Sequence, residues 1–127
     1  MLPQASRVTP SIKKDITMNM QTRTHKQIQV IELHGRFDAH VVPEVKAWQD
    51  AAADVSKIVV NLSGVHFVDS AALATLVRGM KRCRQQGGDL RICGLQQPVR
   101  IIFELTKLDK AFDIRPSEAE AIQAFGA

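Results

Sequence analysis

The stretch NLSGVHFVDSAALATLV, residues 61–77, sets Asp69 and Ser70 side by side between an apolar run and an amphipathic one. Three chemistries suit a hydroxyl at such a junction. It can cap a helix, because Asp and Ser oxygens accept hydrogen bonds from the free amides of a first turn. It can act as a nucleophile, or it can accept a phosphoryl group. The surroundings argue against the nucleophile: the local string is V-D-S-A-A rather than G-x-S-x-G, and His25, His34, His40 and His66 all precede it without the spacing of a triad. Those histidines also lack metal-ligand spacing. The chain has no P-loop, no G-x-G-x-x-G and no paired-carboxylate signature. No catalytic residue, cofactor or metal is expected.

Phosphoryl acceptance is physically favourable here. The first turn of a helix offers unpaired N–H donors and the positive end of the macrodipole, so the fold tolerates a phosphate there. The same phosphate adds about −1.5 to −2 charges to the surface. A partner docked through apolar contacts or carboxylates is then repelled, and Asp69 already supplies a negative neighbour. One hydroxyl can therefore switch binding without unfolding the protein.

The elements that must position this pair follow from the hydrophobic pattern. QIQVIEL, residues 27–33, alternates as a half-buried strand, with Ile28, Val30, Ile31 and Leu33 as its apolar set, and HGRFD then turns at Gly35. Residues 24–26 fit a short earlier strand of a hairpin. PEVKAWQDAAA, residues 43–53, reads as a helix with Pro43 in its first turn and Val45 and Trp48 on its buried face. KIVVNL, residues 57–62, has the β-branched, continuously apolar character of a central strand covered on both sides. The helix after Ser70 runs to about Gln86 on a stripe of Leu73, Leu76, Met80 and Cys83, with Arg78, Lys81, Arg82 and Arg84 largely outside it, and Gly87–Gly88 stops it. A strand at 90–93, a helix at 98–105 with Phe103 and Leu105 in the core, a short strand at 112–114 and a last helix at 117–125 complete the pattern. Ser117 with Glu120 makes a capping box for that last helix. The alternation predicts an α/β sandwich with parallel central strands.

The 127 residues, 45% hydrophobic and 24% charged, suffice for one packed domain. Aromatics are 5% with no Tyr, too few for a base-stacking surface, so the net charge of +4 is assigned to solvated faces rather than to nucleic-acid binding. Cys83 and Cys93 have no C-x-x-C spacing and sit in apolar patterns as small buried hydrophobes. No stretch has the apolar length of a signal peptide or a membrane span. The expectation is a soluble, cytoplasmic protein without membrane insertion, and monomeric.

VVNLSGVHFVDSAALATLV, GGDLRICGL and PVRIIFELTKLDKAFDI, in that order, together with HGRFD, resemble the STAS domain of bacterial anti-sigma factor antagonists. The resemblance covers about Thr22 to the C-terminus. It implies a single STAS-like α/β domain over 22–127, a small mixed and mostly parallel sheet with about four helices; the polar, aperiodic residues 1–21, with two prolines, read by their composition as a flexible extension. The resemblance places the family's phosphorylated serine on Ser70 and the partner-binding surface on Asp38, Asp69, Ser70, Ala71 and Ala74. It implies two partners: an anti-sigma factor with serine-kinase activity, bound when Ser70 is free and released on its phosphorylation, and a metal-dependent serine phosphatase that reverses the step. The alternative is a constitutive accessory subunit of a lipid-transporting ATPase, with Ser70 only a helix cap. Two departures stand out. Ala72 and Ala74 replace the family's usual glycines, so the helix is firmer at its start and the added methyls narrow the approach of a kinase. Asn61 replaces the usual Asp, a loss of charge expected to change little.

Overall fold

The computed structural model describes residues 19–126. Five strands form one sheet in sequence order. β1 (Asn19–His25) pairs antiparallel with β2 (Ile28–Phe37), while β3 (Lys57–Val68), β4 (Asp89–Cys93) and β5 (Ile114–Arg115) continue in parallel. Four α-helices alternate with the parallel strands: α1 (Val42–Ala51), α2 (Ser70–Gln85), α3 (Gln97–Leu105) and α4 (Glu118–Gln123), with a 3₁₀ turn at Leu108–Lys110. This is the α/β class expected, with a mixed, mostly parallel sheet. Residues 19–21, assigned to the extension from sequence, form the start of β1, and the rest of that segment lies outside the described residues.

Successive side chains of a strand point to opposite faces, and here both faces are used. Ile31, Leu33 and Phe37 of β2, Ile58, Val60 and Leu62 of β3, and Leu90 and Ile92 of β4 meet the helices α1, α2 and α3 in the main core. Ile28, Val30, Val59 and Cys93 point the other way and are closed by Ala121, Ile122 and Phe125 of the α4 segment. β2 is therefore buried on both faces over its first half, not on one. The reason is α4, a short helix with little apolar signal of its own, which covers the second face.

Several expectations are corrected. HGRFD does not end the strand: β2 continues to Phe37, and Gly35, at φ 99°, lies at a register shift against β3. An inserted residue in a paired strand is absorbed as a bulge, which the αL-like backbone of glycine permits. β3 likewise runs beyond Leu62 to Val68. Its first five residues pair with β4, and its last part pairs with β2 alone. Leu105 is 75% exposed, whereas Phe103 is fully buried. The two lie about 200° apart around α3, so a single helix face cannot bury both.

The stripe on α2 is buried as expected: Leu73, Leu76, Met80 and Cys83, joined by Ala72, Thr75 and Gly79. Gly87, at φ 85°, follows the helix, and the amides of Gly87 and Gly88 close on the carbonyls of Arg84 and Cys83. Ser117 caps α4 by accepting from the Glu120 amide, the N-cap half of the capping box read from sequence, while the Glu120 carboxylate accepts from the Ser117 hydroxyl at 3.0 Å. Cys83 and Cys93 are both buried, and desolvation pushes their thiols up to about 11 and about 12 respectively.

Candidate functional site

Where β2 and β3 end side by side, the register matches Phe37 with Val68. The next residues are therefore Asp38 and Asp69, brought together from opposite ends of a 31-residue sequence interval. The parallel strands and the bulge at Gly35 set this juxtaposition. Asp69 donates its amide to the Phe37 carbonyl at 3.3 Å. Its carboxylate does two jobs: Oδ1 accepts from the Ala72 amide at 2.9 Å, capping α2, and Oδ2 accepts from the Ala39 amide at 2.9 Å, pinning the loop into α1.

Asp38 is the mirror of this arrangement on the neighbouring strand. Its carbonyl accepts from the amides of Val41 and Val42, and its carboxylate accepts from the His40 amide at 3.0 Å and from Arg36 Nε at 3.4 Å. Burial pushes the Asp38 carboxyl up, but these donors outweigh it and hold the group below its usual value. Arg36 also lies over the Phe67 ring, 4.0 Å from its centroid, where the ring's negative face attracts the guanidinium. The pair joins the adjacent strands at the rim of the site.

Ser70 occupies the first helical position of α2 and is exposed. The cap is Asp69. The hydroxyl of Ser70 is thus not the group that closes the helix, which separates the two roles that sequence alone left on one residue pair. Ala71 is half-buried and Ala74 exposed on the same side of α2, whereas Ala72 is buried against the core. Of Ala72 and Ala74, only Ala74 presents its methyl to solvent. All five residues expected at the site lie within the β2–α1 junction and the first two turns of α2.

Two contributors were not read from the sequence. Gln49 of α1 is 4% exposed; its Nε2 donates to the Thr75 carbonyl at 3.1 Å and its Oε1 accepts from Arg78 at 2.8 Å. Arg78 and Arg82 both donate to Asp50, at 2.6 and 3.1 Å. This set fastens α1 to α2 behind the serine. The i, i+4 spacing of Arg78 and Arg82 on α2 was the available signal, but the facing helix that pairs with them is not visible in one dimension. The expectation for Asn61 also changes. Its Nδ2 donates to Glu118 Oε1 at 3.0 Å and its Oδ1 accepts from the Ser63 amide at 2.9 Å, tying β3 to α4. An aspartate there would set a second carboxylate against Glu118.

Among the described residues there is no cluster of three or more His, Cys, Asp or Glu side chains placed to hold a metal ion, and no helix long and apolar enough to cross a membrane.

The model of the STAS domain matches residues 19–121. The chain is 27% identical over 110 residues to the anti-sigma F factor antagonist of Paenibacillus polymyxa, covering 83% of this chain and 94% of that relative. It is 30% identical over 98 residues to the anti-sigma-B factor antagonist of Staphylococcus aureus, covering 73% of this chain and 88% of the relative. Its fold superimposes on that of the phosphorylated form of the Bacillus cell fate determinant SpoIIAA with a TM-score of 0.68, at 23% identity over 84% of this chain and 98% of that one. With a domain match spanning β1 to α4 and relatives covered almost end to end, the chain belongs to the STAS domain family, among proteins named anti-sigma factor antagonists.

Proposed function

We propose that this protein is an anti-sigma factor antagonist that binds an anti-sigma factor with serine-kinase activity while Ser70 is free, and that phosphorylation of Ser70 ends the interaction. The observation that carries this reading is the division of labour at the start of α2. Asp69 caps the helix with one oxygen and holds the α1 loop with the other, leaving the Ser70 hydroxyl exposed and unburdened by capping. The names of the relatives supply the class of partner, and the solved phosphorylated form of SpoIIAA supports a phosphate on this fold.

The step is a phosphoryl transfer. Ser70 Oγ attacks the γ-phosphorus of ATP held by the kinase, the bond to ADP breaks, and the hydroxyl proton passes to the kinase's base or to solvent. This chain supplies the acceptor oxygen and a docking surface, and no catalytic group. The product phosphate stands at a helix N-terminus, whose free amides and dipole favour an anion, so the fold survives. Its charge of about −1.5 to −2 falls on the surface of Asp38, Ala71 and Ala74 and expels a docked partner. A metal-dependent serine phosphatase hydrolyses the ester and restores the binding form.

The test is affinity capture from native extract with wild-type, Ser70→Ala and Ser70→Asp baits, followed by intact-mass analysis of the protein incubated with ATP and the captured kinase. One phosphate on the wild type, none on Ser70→Ala, and partner retention by Ser70→Ala but not Ser70→Asp are expected. A transporter ATPase captured equally by all three baits would replace this reading with that of an accessory subunit.

A further inference from the structure

A shallow groove opens at the seam between α1 and α2 and continues along the outer face of α2 alone. Its upper stretch includes Lys46, Ala71, Ala74 and Arg78, and its lower stretch Ala74, Val77, Arg78 and Lys81; Ala74 and Arg78 line both, so the stretches are continuous. The floor consists of Ala71, Ala74 and Val77, three residues apart on one face of α2. The rims carry Lys46 from α1 and Arg78, Lys81 and Arg82 from α2, against the single carboxylate of Asp50, leaving three net positive charges. Arg78 and Arg82 are held in place by Gln49 as well as by Asp50, since Arg82 donates to the Gln49 carbonyl at 2.8 Å. Groups ordered in advance lose less conformational freedom when a ligand arrives. Lys46 and Lys81 are exposed.

The dimensions and chemistry select the occupant. From Ala71 to Gln85 the groove follows about 21 Å of helix, at ~1.5 Å per residue. A small-residue floor lets another backbone approach closely, while the cationic rims demand carboxylates. The large exposed apolar residues that a lipid surface would engage, Ile101 and Leu105, are on α3 instead. No aromatic ring lines the groove to stack a base.

We propose that this groove docks an acidic amphipathic helix of the same protein that binds the Ser70 surface, with small apolar residues on the alanine floor and carboxylates on Lys46, Arg78 and Lys81. The proposal rests on the partner-binding reading above and explains the sign of the switch. Ser70 is one turn from Ala74 and about 12 Å along the axis from Arg78. That separation is a little over one Debye length of ~8–10 Å, so a phosphate there offsets the positive field at the near end in part and more strongly at low salt.

The test uses the full chain and two synthetic 18-residue helical peptides with the same Ala/Leu stripe, one flanked by Glu and one by Lys. Backbone amide NMR at 50 mM salt is expected to show the Glu peptide shifting Lys46, Ala74, Arg78 and Lys81, with the Lys peptide silent. K46E/K81E is expected to weaken the Glu peptide by at least ~10-fold, and K46A/K81A, which leaves no new charge, by a smaller factor. Shifts absent at millimolar Glu peptide, equal binding of both peptides, or tighter binding at the same residues by a 15-base-pair duplex or by phosphatidylserine vesicles would overturn it. The peptides contain no kinase, so this outcome is independent of whether Ser70 accepts a phosphate, and Ser70-dependent capture can succeed where peptide docking fails.

Discussion

Asp69 and Ser70 are adjacent, yet they answer to different physics. Removing the Asp69 carboxylate frees the Ala72 amide at the helix start and the Ala39 amide in the loop. Asp69→Ala is expected to cost about 2 kcal/mol, one cap near 1 kcal/mol plus a second lost charge-assisted bond, read as a lower urea midpoint. Ser70→Ala, at an exposed position outside the cap, is expected to stay within ~0.5 kcal/mol of wild type. Equal losses for the two variants would show that Ser70 shares the capping and would remove the main support for a free acceptor hydroxyl. The sequence disclosed both residue types and their order. It did not disclose which of them closes the helix, because that depends on the extended backbone of Asp69, φ −112° and ψ −178°, aiming its side chain back over the first turn.

At the scale of elements, packing decides what pattern leaves open. Phe103 and Leu105 occupy one short helix, but only Phe103 reaches the core, where it meets the Phe112 ring edge-on at 5.8 Å. Phe103→Ala is expected to cost about 3–5 kcal/mol and Leu105→Ala under ~0.5 kcal/mol in thermal or chemical unfolding. Asn61 links β3 to α4 through Glu118, and Arg23 also pairs with Glu118 and with Glu32. Asn61→Asp loses an amide donor and faces Glu118 with a like charge. It is expected to destabilise by about 1–2 kcal/mol and to speed hydrogen exchange in the strand residues beneath α4, such as Cys93, before any global effect. The periodic α2 was legible because its apolar face repeats over sixteen residues, whereas α4, six residues long, is defined mainly by its cap and by the sheet it covers.

The molecule as a whole carries a predictable pH response. In the folded state the carboxyls of Asp113, Glu32 and Asp38 lie below their usual values. For Asp113 the leading cause is the Arg115 hydrogen bond; for Glu32 and Asp38 burial opposes the shift, and donors from Arg23 and His34, or from His40 and Arg36, overcome it. A depressed carboxyl contributes stability that is fully present above the unfolded value, here 3.8 to 4.5, and disappears as pH falls through the lower folded value. Stability against urea is therefore expected to fall as pH drops from about 5 toward 2, and these groups leave it nearly unchanged between 6 and 8, where their contribution is complete. The thiols give a second whole-molecule readout. Burial raises Cys83 to about 11 and Cys93 to about 12, so both are protonated at neutral pH and shielded from reagent. A disulfide-exchange reagent such as DTNB is expected to react with neither in the native state and with both in denaturant; rapid native labelling would contradict the packing of α2 and β4.

Local pattern alone was enough for the alternation of strands and helices, the buried stripe of α2, the two interior cysteines and the Asp69–Ser70 junction. These follow from local periodicity and short-range hydrogen bonding, which one dimension records. The assembled fold was needed to see Asp38 follow Phe37 beside Asp69, to see β2 covered on both faces and Asn61 anchoring α4, and to see cations of two helices line one groove near Ser70. Each of these depends on strand register or on helices meeting across long sequence separations, and the burial that fixes such meetings is a property of the assembled surfaces rather than of any segment.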